Sequence, residues 1–137
     1  MSPKAGCDQL LDTLAGGFIC RQVFENRYLD VGDWGDDYVH AVSHLDPRST
    51  AAVLVHEIVE KLLCDHFGIT PQEVDRDDAM ILKGKKKLYE CRYYRHHRTA
   101  TRIERELCKA MKLDWKRHEK NVDEAWKRQE ELLAQTA

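Results

Sequence analysis

Residues 51–64 read AAVLVHEIVEKLLC, an apolar stretch that is interrupted by His56, Glu57 and Glu60. Its length and its lack of Gly and Pro favour a helix, and its apolar residues predict that this helix is largely buried. Burying an unpaired charge is costly, so the three titratable side chains need partners in each other, in another segment or in a metal ion. We therefore expect this helix to carry a candidate metal site.

Further helix signals extend over residues 49–134. A Ser, Thr or Asp side chain accepts hydrogen bonds from the exposed N–H groups at a helix start, Pro fits the first turn, and Gly ends a helix. The predicted helices run from Ser49 or Thr50 to about Phe67, from Thr70 and Pro71 to near Gly84, from Leu88 to Leu113, and from Asp114 to about residue 134.

Two segments before these helices are rich in aromatic and β-branched residues, namely Phe18–Phe24 and Tyr38–Ser43. Such segments favour strands, and the intervening Gly32–Asp37 has the composition of a turn. Two antiparallel strands are the simplest interpretation.

The predicted fold class is therefore α+β. A small antiparallel β-sheet of two to three strands, within residues 18–45, is expected to precede a bundle of about four helices over residues 49–134. A chain of 137 residues fits a single domain, 1–137, in which we expect residues 1–17 to be flexible.

The charge pattern excludes a strongly basic protein but leaves a local basic segment. The formal net charge is −2 with 34% charged residues, so no overall positive field argues for nucleic acid. Lys83–Lys87 and Arg92–Arg98 are nevertheless clusters of positive charge. Nucleic acid therefore remains a candidate partner through this stretch.

Cysteine usage and hydropathy indicate a cytoplasmic protein. Five scattered cysteines without a C-x-x-C pair suggest neither a disulfide framework nor a zinc ribbon. No signal peptide or apolar stretch of about 20 residues is present, so we expect no membrane association. The oligomeric state is not indicated.

The metal-site hypothesis starts from helix geometry. Residues four apart on a helix are neighbours, so His56 and Glu60 share a face and can reach one cation, whereas Glu57 is rotated by about 100°. This is the H-E-x-x-H arrangement of a metalloprotease helix with a carboxylate in place of the second histidine. His56 and Glu60 would be ligands, and Glu57 would be the general base.

A catalytic zinc site needs a third protein ligand, and the segment Leu88–Leu113 offers two candidates. His97 and Glu104 lie with Ala100 on one apolar stripe. The two side chains are about 10 Å apart along a helix axis, so they are not expected to bind the same ion. We favour His97 as the ligand, and Glu104 would be an alternative ligand or would orient His56.

Simpler interpretations stay open for each of these residues. His56 and Glu60 would form a hydrogen-bonded pair, His96 and His97 would belong to a basic surface patch, and Glu104 would pair with an arginine. Tyr93, Tyr94 and Arg95 would stack on bases or, as we favour, serve the core or the surface. His118 and Glu119 lie in a charged segment and are expected to be solvated.

Several segments resemble a small family of bacteriophage and prophage proteins, which are themselves similar to minimal zincin-like metallopeptidase domains. The segments are Tyr38–Leu45, Val55–Cys64, Gly68–Asp78, His97–Glu104 and Leu113–Trp115. The resemblance implies a short sheet before an active-site helix, and a site at His56, Glu57, Glu60, His97 and Glu104. This chain departs from the zincin pattern at Glu60 and in its basic stretch Lys83–Lys87.

Three functions follow as hypotheses. The first is a phage-type, metal-dependent hydrolase with Zn²⁺ as cofactor and a peptide or protein as substrate, acting in the cytoplasm of a bacterial host. The second is a nucleotide or phosphoester hydrolase, in which carboxylates hold Mg²⁺ or Mn²⁺. The third is a non-catalytic phage accessory protein that binds a host protein or nucleic acid.

Overall fold

The computed structural model describes residues 19–23, 31–42 and 46–136. The predicted flexible segment 1–17 lies outside these residues. So do Phe18, Phe24 and Ser43, at the ends of the two predicted strands.

A small mixed sheet is formed by three strands in the order β1-β3-β2, where β1 is Ile19–Val23, β2 is Gly32–Trp34 and β3 is Tyr38–Val42. β2 and β3 form an antiparallel hairpin, and the N–H of Gly35 donates to the carbonyl of Tyr38 at 2.9 Å. β1 pairs with the other edge of β3 in a parallel direction.

The predicted antiparallel pairing of the first strand with Tyr38–Ser43 is therefore wrong, because the antiparallel neighbour of β3 is β2. β2 lies inside Gly32–Asp37, which the sequence indicated as a turn. A strand of three residues that begins Gly-Asp has little strand propensity of its own. Its conformation comes from pairing with β3 and from burial of Trp34 in the core.

Four helices follow the sheet: α1 (Pro47–His66), α2 (Pro71–Leu82), α3 (Tyr94–Ala110) and α4 (Trp115–Thr136), with a 3₁₀ turn at Leu88–Glu90. The described helices and strands confirm the predicted α+β class. None of these helices combines the length and the apolar character needed to cross a membrane.

The start of α1 differs from the prediction. Asp46 caps the helix by accepting the N–H of Arg48 at 2.9 Å, so Ser49 and Thr50 lie one turn inside and are buried. Thr50 instead donates from Oγ1 to the carbonyl of Val42 at 3.0 Å, which ties α1 to the end of β3. The end of α1 agrees with the prediction, because Gly68 follows it with φ +72°, a conformation that favours glycine.

The other predicted boundaries are confirmed for α2 and α4 but not for α3. Thr70 caps α2 by accepting the N–H of Glu73 at 3.1 Å, and Asp114 accepts the N–H of Arg117 at 3.1 Å. A continuous helix over Leu88–Leu113 is wrong, since the chain leaves the helical path before Tyr94. Glu90 accepts the N–H of Lys87 at 2.9 Å, and this local capping contact competes with a longer helix.

The core is built around α1, which packs against β2 and β3 on one side and against α3 on the other. One apolar cluster contains Trp34, Val39 and Cys64, and a second joins the sheet to α4 through Val42 and Ala125. Cys64, Cys91 and Cys108 are buried and free of disulfide bonds. Because α1 lies between the two layers, its polar residues are also carried into the interior.

Candidate metal centre

His56 and Glu60 lie one turn apart on α1, and both are buried. His56 Nε2 is 3.1 Å from Glu60 Oε2, so the hydrogen-bonded pair expected from the sequence is present. The second carboxylate oxygen, Oε1, accepts a hydrogen bond from the indole Nε1 of Trp34 at 3.1 Å. The Glu60 side chain is therefore held from two directions.

His97 reaches the same carboxylate from the first turn of α3. Its Nδ1 lies 3.0 Å from Glu60 Oε2, and its side chain is 36% exposed, so it forms the solvent side of the group. Potential ligand atoms of His56, Glu60 and His97, one from each, all lie within 4.8 Å of one another. The structure thus brings together the three residues that the sequence marked as metal ligands.

Glu104 lies on the opposite side of His56. Its Oε1 is 2.7 Å from His56 Nδ1, a distance typical of an ion pair, although the oxygen lies off the line of the ring N–H bond. Because Nδ1 and Nε2 are on different sides of the ring, Glu104 is separated from the Glu60 and His97 group. The arrangement matches an orienting carboxylate behind a ligand histidine. Pairing of Glu104 with an arginine, the simpler interpretation, is wrong.

The network continues to His118, which the sequence placed on a solvated face. That expectation is wrong, since His118 is 1% exposed. Its Nε2 donates to Glu104 Oε2 at 2.5 Å, and its Nδ1 lies 2.9 Å from Ser49 Oγ. Ser49 also accepts a hydrogen bond from Asn121 at 3.0 Å. A buried chain of polar contacts thus runs from the amino end of α1 to the candidate metal centre.

The charged residues next to His118 led the sequence to predict an exposed position for it. Lys116, Arg117 and Glu119 are exposed, and only every third or fourth residue of α4 faces inward. The inward stripe is His118, Val122, Ala125 and Gln129. Its spacing of four, three and four residues is the signal that would have identified His118.

The electrostatics of the group favour an ionised pair. Burial opposes a charge on His56, but its close contacts with the Glu104 and Glu60 carboxylates outweigh burial and raise the pKa of His56 to about 10. Burial likewise opposes the charge on Glu60, but hydrogen bonds to His56 and His97 lower its pKa to about 2. The pKa of Glu104 is also lowered, because its contacts with His118 and His56 outweigh burial.

The group opens into a cleft of about 200 Å³ that Glu57 also lines. Three carboxylates that the sequence did not indicate, those of Asp33, Asp75 and Asp78, line the same cleft. Burial raises the pKa of Asp33 and of Asp78, against the hydrogen bonds that they accept from the hydroxyls of Tyr38 and Tyr93. The cleft is therefore rich in oxygen ligands, and Tyr93 belongs to its wall.

Gly32 sets the position of Glu57. A Cβ atom on Gly32 would lie 2.8 Å from Glu57 Oε1 and 2.6 Å from Val53 Cγ1, both closer than van der Waals contact allows. The backbone of β2 thus packs directly against the Glu57 side chain. A larger residue at this position would displace Val53 and the Glu57 side chain from their places against β2.

We predict that Gly32→Ala lowers any hydrolytic activity by about a hundredfold while zinc content is kept. A displacement of the Glu57 carboxylate by about 1 Å is enough for such a loss. Peptide hydrolysis and zinc content are measured on the same preparation, and a thermal melt checks the fold. Unchanged hydrolysis, or a parallel loss of zinc, would contradict the positioning role of Gly32.

We further predict that Glu104→Gln weakens zinc affinity by about 10–100-fold, as is typical when the carboxylate behind a ligand histidine is removed. The competition titration with a chromophoric chelator is run beside Glu106→Gln, an exposed glutamate on the same helix. Glu106→Gln should bind zinc as the unchanged protein does. Equal affinities for the two variants would show that Glu104 does not orient His56.

Comparisons with protein-family models, with curated proteins and with solved structures find no match for this chain.

Proposed function

We propose that this protein is a zincin-like, zinc-dependent hydrolase with a peptide bond as its first candidate substrate. One observation supports the proposal most strongly: two imidazoles and a carboxylate, from two helices, converge at the edge of a cleft that also contains Glu57. The set is similar to that of catalytic zinc sites, which use three protein ligands and leave one position for water.

Two of the three donor separations are near those of a zinc site, and all three lie within 4.8 Å. Ligand atoms at about 2.0–2.2 Å from a tetrahedral ion lie about 3.3 Å from each other. The contacts of Glu60 Oε2 with His56 Nε2 and His97 Nδ1 are 3.1 and 3.0 Å, close to that separation. Loss of the protons that the two histidines share with Glu60, together with small side-chain movements, would therefore allow these three side chains to bind one zinc ion.

Each residue of the group has a distinct role in this proposal. The chemistry that zinc supplies when bound is a coordinated water with a pKa near 7. Glu57, which lines the cleft, would act as the general base toward water and would pass the proton to the leaving amine. Glu104 and His118 hold His56 so that Nδ1 keeps its proton and Nε2 faces the ligand group, and the exposed edge of His97 marks the side from which substrate enters.

Metal analysis of protein purified without added metal tests the proposal. We expect about one zinc per chain, together with hydrolysis of a quenched fluorescent peptide library that chelation stops and zinc restores. A protein that takes up no zinc even after soaking would contradict the proposal. The resemblance to phage proteins supports, as part of the same proposal, action in the cytoplasm of a bacterial host.

Proton release gives a second prediction. Zinc needs the unprotonated Nε2 of His56, whose pKa is raised to about 10 in the metal-free protein. Binding at neutral pH should therefore displace about one proton from His56, and affinity should rise about tenfold per pH unit between pH 6 and 8. Calorimetry in buffers of different ionisation enthalpy measures this proton, and a binding enthalpy that is independent of the buffer would contradict it.

The pKa shifts of His56 and Glu60 also make the stability of the metal-free protein depend on pH. The raised pKa of His56 contributes stability that is complete below pH 6.5 and is lost as the pH rises through about 10. The lowered pKa of Glu60 contributes above pH 4.5 and is lost as the pH falls through about 2. These two groups therefore favour a stability maximum between pH 4.5 and 6.5 without metal.

A second candidate function is favoured by the extra carboxylates of the cleft. Asp33, Asp75 and Asp78 add oxygen ligands of the kind that Mg²⁺ and Mn²⁺ prefer, as a phosphoester hydrolase would need. Against it, the cleft has no Lys or Arg among its described lining residues to receive a phosphate. Mn²⁺-dependent release of phosphate from a nucleotide, with no effect of zinc, would favour this candidate over the first.

A further inference from the structure

The basic residues that the sequence grouped together have different partners in the structure. Lys86 pairs with Asp77 at 2.8 Å, and Arg92 pairs with Glu73 at 2.8 Å. These two charges are largely satisfied within the chain. They are therefore poor candidates for an anionic partner.

Three arginines of α3 differ from Lys86 and Arg92 in their lack of an ion pair among the described residues. Arg95, Arg98 and Arg102 are exposed, and among the described residues no carboxylate lies within ion-pairing distance of them. They are spaced three and four residues apart and so share one face of the helix. The seven helical rises from Arg95 to Arg102 cover about 10 Å of helix axis, which is roughly three stacked nucleotides at about 3.4 Å each.

These arginines line a groove of about 620 Å³ between α1 and α3. The other described lining residues are Leu63, Phe67, His96 and Thr99, so no carboxylate is among them. The groove is thus a cationic surface on a chain whose net charge is −2. Its charge is complementary to a polyanion.

An aromatic platform lies in the same groove. Phe67, at the end of α1, is 54% exposed. Its ring stacks on buried His96 with centroids 4.9 Å apart and an interplanar angle of 15°, and it meets the His66 ring at 89°. An exposed aromatic ring among arginines is the combination that binds single strands, because bases stack on the ring while phosphates contact the cations. An acidic peptide would use the arginines but would not need the ring.

We propose that the groove lined by Phe67, Arg95, Arg98 and Arg102 binds single-stranded nucleic acid, with phosphates on the arginines and a base on Phe67. The proposal does not depend on the metal centre. His96 faces the groove and His97 faces the metal-site cleft, so α3 separates the two sites.

Fluorescence anisotropy of a labelled single-stranded oligodeoxythymidine, titrated with the full chain between about 50 and 200 mM salt, tests the proposal. Contacts with three phosphates predict a slope of about −2 for log affinity against log salt concentration. The variant Arg95→Gln, Arg98→Gln, Arg102→Gln should flatten this slope and lower affinity at low salt at least tenfold. The matched variant Lys83→Gln, Lys85→Gln, Lys87→Gln removes the same charge outside the groove and should keep the slope.

Variants of Phe67 distinguish binding of nucleic acid from binding of other polyanions. Phe67→Ala should lower affinity about tenfold or more, and Phe67→Tyr, which keeps a stacking ring, should restore it. Because Phe67 is half exposed, both variants should fold, which circular dichroism checks. Three results would overturn the proposal: no binding at low salt, equal losses in the two triple variants, or a base-free polyanion such as heparin that competes while Phe67→Ala binds normally.

Discussion

Glu60→Gln should leave the protein unable to retain zinc through dialysis. Oε2 of Glu60 is the atom shared by His56 Nε2, at 3.1 Å, and His97 Nδ1, at 3.0 Å, so it is the middle member of the ligand group. An amide is a far weaker zinc ligand than a carboxylate, and two histidines alone do not make a catalytic zinc site. Inductively coupled plasma mass spectrometry should find less than about a tenth of the zinc of the unchanged protein.

Folding must be separated from binding in this experiment, because Glu60 is buried between two histidines. A thermal melt of the metal-free variant shows whether the fold survives. His97→Ala gives a second route to the same result, since His97 is half-buried and its removal disturbs the core less. Both variants should lose zinc. Full zinc occupancy in a folded Glu60→Gln protein would exclude Glu60 as a ligand.

Glu57→Gln should keep zinc and lower hydrolysis by about 100- to 10,000-fold, the usual contribution of a general base. Glu57 follows His56 directly and lines the cleft, but it is not one of the three residues that could hold the metal together. The amide keeps the size of the side chain and removes only its ability to accept the proton. Zinc content and hydrolysis of the quenched fluorescent peptides are measured on one sample.

The matched control is Glu119→Gln, an exposed glutamate that also follows a histidine directly. It should leave both zinc content and hydrolysis unchanged. Loss of zinc in Glu57→Gln would indicate a ligand rather than a base. Unchanged hydrolysis would remove Glu57 from the chemistry and favour a different proton acceptor.

The local parts of this structure could be predicted from the sequence. Thr70 and Pro71 mark the start of α2 by chemistry within one turn, and the spacing of His56 and Glu60 fixes their common face. The stripe on α3 likewise placed His97 near the ligand group. These are signals that act over a few residues, where propensity and side-chain spacing determine the outcome.

The long-range parts could not be predicted in the same way. The parallel direction of β1 against β3, and the strand character of β2, depend on partners elsewhere in the chain. His118 is surrounded by exposed charged residues, and its burial is set by packing of α4 near Ser49. The carboxylates Asp33 and Asp78 lie 45 positions apart and meet only when β2 and α2 form the same cleft.

In the proposed site, His56, Glu60 and His97 hold one zinc ion. A crystal of the zinc-loaded protein, with diffraction data collected on both sides of the zinc absorption edge, tests it most directly. We predict one strong anomalous peak at about 2.0–2.2 Å from His56 Nε2, from a carboxylate oxygen of Glu60 and from a ring nitrogen of His97. No peak within ligand distance of these three residues, or a peak elsewhere in the chain, would contradict the claim.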